Sequence, residues 1–85
     1  MKRNLITIQA KLEEIEEQGV RLKRRQEYLK NERDFLIEVM ITKPYKDMAA
    51  HRKLLEEWDG EIAELERSLG YLRGEYKKYQ QYIKN

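Results

Sequence analysis

Apolar side chains recur through the second half of the chain at alternating spacings of three and four residues. They are Met48, Leu55, Trp58, Ile62, Leu65, Leu69, Leu72, Tyr76, Tyr79 and Ile83, interrupted only by His51. An average spacing of ~3.5 residues keeps one stripe of an α-helix turned toward a neighbouring helix. The first half can be threaded in the same way. One column, Ile8, Ile15, Leu22, Leu29 and Leu36, is apolar throughout; its companion, Leu5, Leu12, Gly19, Gln26, Arg33 and Met40, turns polar in the middle. The two patterns predict an all-α chain with a first helix over about 4–41, a turn over about 42–47 and a second helix over about 47–84, all in one unit spanning 1–85.

The break is Thr42-Lys43-Pro44-Tyr45-Lys46-Asp47. Proline costs a helix interior roughly 3 kcal/mol and disfavours helix at the residue before it. Asp47 is the expected N-cap of the second helix, with Thr42 as the rival. Helices joined by so short a connection fold back on one another, which predicts an antiparallel hairpin of coiled-coil type. Two alignments of the seam are open. In the first, Leu29 faces Ile62, Leu22 faces Leu69, Gly19 faces Leu72, Ile15 faces Tyr76 and Arg33 lies against Trp58. Its flanks bring Glu16 to Arg73, Lys23 to Glu66, Lys30 to Asp59 and Val39 to Leu54, with one clash of Glu32 against Glu61. The second alignment brings Glu16 to Glu66 and Lys30 to Arg52. Exposed pairs each contribute only tenths of a kcal/mol, but attraction in one alignment against repulsion in the other favours the first. In that alignment Gly19 lets the helices approach, and Arg33 covers the Trp58 ring.

Composition narrows what such a hairpin does. Eighty-five residues, 40% of them charged, have difficulty enclosing a core alone, so a second copy or another partner is expected. Eighteen basic against sixteen acidic side chains leave a formal charge of +2, too small to mark a dedicated polyanion binder. The absence of cysteine excludes disulfides and thiolate metal sites and fits a reducing, cytoplasmic setting. Leu5 to Ile8 is followed by charge, so neither a signal peptide nor a membrane span is expected. One histidine and scattered surface carboxylates make no catalytic or metal-binding constellation, and no phosphate loop is present. No enzyme activity, catalytic residue, metal or cofactor is expected.

Two clusters stand apart from the seam. The run from Phe35 to Ile41 is apolar nearly all round the helix, as in helices buried on more than one side. Tyr28 and Phe35 share a heptad position outside the seam, and Leu54 lies across from Val39. Tyr28, Phe35, Ile37, Val39, Ile41 and Leu54 are therefore the expected partner-binding residues. The second cluster is Arg21, Lys23, Arg24 and Arg25 on the first helix, with Tyr71, Lys77, Lys78, Tyr82 and Lys84 on the second. Interleaved basic and aromatic residues can hold phosphates and stack bases, which makes nucleic acid the alternative partner. In architecture the hairpin is similar to the plasmid regulator Rop, whose two-helix subunits pair into a four-helix bundle. The expectation of self-association into a four-helix bundle, as a homodimer, comes from the second apolar face at the turn end and not from this likeness. The functional expectation is a regulatory or assembly module: an adaptor, assembly component or stoichiometric inhibitor of a larger protein. The alternative is a small RNA- or DNA-binding regulator that uses the basic cluster.

Overall fold

The structure, a computed structural model, describes residues 4–42 and 48–84. It consists of two long helices in lateral contact, α1 (Leu5–Thr42) and α2 (Ala49–Lys84), which form a helical hairpin 67 Å long and 14 Å across. Pro44 and Asp47, the expected turn and cap, lie outside the described residues. The helices end where local chemistry allows. Asn4 accepts the Thr7 amide on its side-chain oxygen at 3.1 Å, satisfying one of the donors that an α-helix leaves open at its start. At the other end the Thr42 hydroxyl donates to the Glu38 carbonyl at 2.9 Å. Thr42 is thus the last residue of α1 and not a cap of α2, whose first turn closes with the Arg52 amide on the Met48 carbonyl.

The inner column of α1 forms the core. Ile8, Ile15 and Leu29 are buried, and Leu29, 1% exposed, is the most enclosed large side chain among the described residues. Leu22 and Leu36 in the same column are half-buried. The facing stripe of α2 behaves differently. From Met48 to Tyr79 every ladder position is half-buried, and Ile83 is exposed. One helix laid on another covers a seam only from the front, so the shoulders of each side chain stay wet.

The polar residues inside the α1 seam find their own partners. Gln26 is 6% exposed, and burying an amide without a hydrogen bond is unfavourable. Its Nε2 donates to Glu66 at 3.0 Å. Glu66 also accepts from Arg73 at 3.3 Å, which replaces the expected pairings of Lys23 with Glu66 and of Glu16 with Arg73. Glu16 instead accepts the Tyr76 hydroxyl at 2.9 Å. The Arg33 guanidinium donates to Asp59, where Lys30 was expected, and its charge is satisfied there instead of on the Trp58 face. Glu61, expected to oppose Glu32, is paired with Arg25 at 3.2 Å. Gly19 is not a point of close approach, since a Cβ there would meet nothing within 4 Å.

Candidate interaction surface

The cross-helix contacts divide the rod into two unlike flanks. On one, polar side chains form a ladder along the seam: Arg33 with Asp59, Gln26 with Glu66, whose carboxylate also accepts from Arg73 of its own helix, and Tyr76 with Glu16. On the other, Arg25 and Glu61 make an ion pair, and the Arg25 guanidinium lies 5.6 Å from the centre of the Tyr28 ring. Farther along this second flank, Gln18 and Leu22 of α1 meet Ser68 and Tyr71 of α2 around one shallow groove. Residues 18, 22 and 25 are spaced by four and three, so they lie on one stripe of α1.

This division sorts the partner-binding residues expected from the sequence. Tyr28 and Phe35 are seven residues apart on one stripe, 55% and 67% exposed, and Val39 follows one turn later, half-buried. Leu54, seven residues before Glu61, belongs to the same flank and is exposed. At ~100° per residue Ile37 points away from Phe35. It lies one turn beyond Arg33, and Ile41 one turn beyond Ile37, on the side of the polar ladder. Ile37 is half-buried and Ile41 is 76% exposed. The six residues therefore form two patches, because a run that is apolar all round a helix necessarily addresses opposite directions.

Tyr71 is the residue that the sequence pattern misassigned. Grouped there with the lysines near the end of α2, it is 67% exposed and lies on the flank of Tyr28 and Phe35. The clue was its heptad position, which is the counterpart on α2 of the one that Tyr28 and Phe35 hold on α1. Tyr82 lies edge-on to Tyr79, with ring centres 5.8 Å apart, and Lys78 sits 5.7 Å from the Tyr79 ring centre.

The basic cluster is partly neutralised. Arg21 lies 4.0 Å from Glu17, and Arg25 is engaged with Glu61 and Tyr28. Arg24 lines a shallow surface groove together with Glu13 and Glu17, so carboxylates interrupt the positive surface. Lys23 is exposed. Among the described residues no group of three histidine, cysteine or acidic side chains could hold a metal ion, and no helix is long and apolar enough to cross a membrane.

Two ionisable groups report the polar ladder. Hydrogen bonds from Gln26 and Arg73 stabilise the Glu66 carboxylate and hold its pKa below the ordinary value, with the positive charges of Arg73 and Lys30 acting in the same direction. Tyr76 moves the other way. Its hydroxyl donates to Glu16, and the carboxylate charge opposes ionisation, so its pKa is raised. The Glu66 contribution is complete above the ordinary glutamate pKa and is lost as pH falls through the depressed value. The Tyr76 contribution is complete below the ordinary tyrosine pKa and is lost as pH rises through the raised one. Carbon-detected NMR titration should find Glu66 titrating below the ordinary glutamate value and rising toward it in Gln26→Leu. A Glu66 titration unchanged by that substitution would mean the amide contact is not formed.

No protein-family model matches the chain, and no curated protein or solved structure matches it. The arrangement of its own side chains is what bears on function.

Proposed function

We propose that the chain is a single antiparallel helical hairpin that self-associates toward a four-helix bundle and works without catalysis, as an adaptor, assembly component or stoichiometric inhibitor of a larger protein. The opposed order of the cross-helix pairs supports the antiparallel seam: partners on α2 descend from Tyr76 through Glu66 to Asp59 as those on α1 rise from Glu16 through Gln26 to Arg33. The same order favours the alignment with Leu29 opposite Ile62 over the one with Lys30 opposite Arg52.

One observation carries the functional reading. Tyr28, Phe35, Ile41, Leu54 and Tyr71 are exposed on a charged rod whose α2 has no fully buried ladder residue. Isolated surface apolar residues are ordinary, but aromatic and aliphatic groups gathered along one flank and one end characterise binding surfaces. The nucleic-acid reading is weaker because Arg21 and Arg25 already face Glu17 and Glu61.

The test compares two variants in pull-downs with mass-spectrometric identification at low and high salt. Phe35→Glu places a charge on the apolar surface without touching the seam, and loss of an aromatic anchor lowers affinity roughly 30-fold or more. Capture of one protein partner should therefore fail with Phe35→Glu and persist, insensitive to salt, when Arg21, Arg24 and Arg25 are together changed to glutamine. The reverse ranking, with binding to labelled RNA or DNA that falls steeply as salt rises, would overturn the proposal.

A further inference from the structure

The hairpin is too open for a finished monomer. Its accessible surface is 7092 Å², whereas a compact monomer of 10.4 kDa exposes about 5,400 Å². The excess of roughly 1,700 Å² follows from the rod's shape, and a stable homodimer requires only about 800 Å² from each chain. One neighbouring rod of the same length supplies that coverage.

The two flanks are not equally suited to it. Along the polar ladder the seam's edge is already closed by Asp59, Glu66, Arg73 and Tyr76, whose hydrogen bonds would be disturbed by a packing helix. The opposite flank presents aromatic rings on both helices with the Arg25–Glu61 ion pair between them. Packing α1 against the α1 of a second copy in the opposite direction would bring two Arg21–Arg25 clusters together, because that cluster lies at the middle of Leu5–Thr42. Packing α1 against the partner's α2 avoids this. With Glu16 level with Tyr76 and Gln26 level with Glu66, residue 21 is level with residue 71 and residue 28 with residue 64. A two-fold axis along the rod then sets Arg21 against Tyr71 and Tyr28 against Glu64, twice each. These are a cation over a ring and a hydroxyl facing a carboxylate; at the level of Arg25 and Arg67 the Arg25 charge stays paired with Glu61.

Resting on the self-association reading above, we infer that a second copy of this chain seats on the flank carrying Tyr28, Phe35 and Tyr71, with α1 of each protomer against α2 of the other and both turn ends at the same end of the rod. The polar-ladder flank stays in solvent.

Sedimentation equilibrium on three variants tests this, with helicity checked by circular dichroism. Tyr71→Lys removes a ring from the proposed interface and puts a positive charge against the partner's Arg21; the dimer dissociation constant should rise at least about 30-fold. Val20→Lys changes an exposed apolar residue one turn from Glu16, on the ladder flank, and should leave the constant within a few-fold of wild type. Adding Arg21→Glu to Tyr71→Lys should restore association by opposing unlike charges. A wild-type dimer that Val20→Lys disrupts and Tyr71→Lys does not would overturn the choice of flank while leaving self-association intact. Tyr71→Lys disruption without rescue by Arg21→Glu would overturn the two-fold arrangement. A monomeric wild type would remove the self-association reading and this inference together.

Discussion

Leu29→Ala should destabilise the hairpin by about 2–5 kcal/mol, the range for truncating a fully buried leucine. Leu29 is 1% exposed and lies in the column it shares with Ile8 and Ile15. It is also flanked along the chain by Gln26, whose amide is held by Glu66, and by Arg33, held by Asp59. Those polar groups cannot move inward to fill the space, so the cavity term adds to the lost transfer energy. A domain of this size has few kcal/mol of total stability, so the variant should be largely unfolded at micromolar concentration. The matched control is Ile6→Ala. Ile6 is 80% exposed, and its truncation should change stability by no more than about 0.5 kcal/mol. Urea unfolding followed by circular dichroism at one fixed protein concentration decides between them, since association makes the midpoint concentration-dependent. Equal effects of the two substitutions would mean that the α1 column is not the core.

Replacing three glycines should act as strongly in the other direction. None of the four glycines has a positive φ, and a Cβ at Gly19, Gly60 or Gly74 would meet nothing within 4 Å. Glycine at a helix interior is about 0.8–1.0 kcal/mol less favourable than alanine, chiefly through backbone entropy. An added Cβ at any of the three sites touches no neighbour, so no contact is shared between them and their effects should add. Gly19→Ala, Gly60→Ala and Gly74→Ala together should stabilise the hairpin by roughly 2–3 kcal/mol, raising the melting temperature by on the order of 10–20 °C. Gly19 is the informative member of the set. It lies at a recess in the seam with Ile15, Leu69 and Leu72, and a destabilising Gly19→Ala would mean the helices approach more closely there than the structure places them.

The columns of apolar residues were legible in the sequence because a helix repeats its direction every three to four residues. Ile8, Ile15 and Leu29 could be assigned inward from spacing alone, as could the half-covered stripe of α2. Spacing does not determine where a long polar side chain ends. Gln26 and Arg33 hold seam positions, so their polar ends must leave sideways, and each takes the nearest carboxylate before an outer lysine reaches it. That is why Glu66 and Asp59 have partners other than Lys23 and Lys30. Gly19 was misread for a related reason: a small residue permits close approach but does not produce it, and here Gly19 borders a recess with Leu69 and Leu72. Tyr71 was misassigned because it was grouped with the lysines farther along α2, whereas its spatial neighbours across the groove are Gln18 and Leu22. The apolar run near Phe35 was legible as sticky. Its split into two directions follows only when Ile37 and Ile41 are placed on the side of Arg33.

These features converge on a hairpin whose own two helices leave a large apolar and aromatic surface uncovered. Sedimentation equilibrium of the wild-type chain, carried from low micromolar to tens of micromolar, is the most direct test of that claim. The expected result is a mass approaching twice the 10.4 kDa of one chain as concentration rises. A mass equal to one chain throughout, with full helicity and no exposed-surface dye binding, would contradict it.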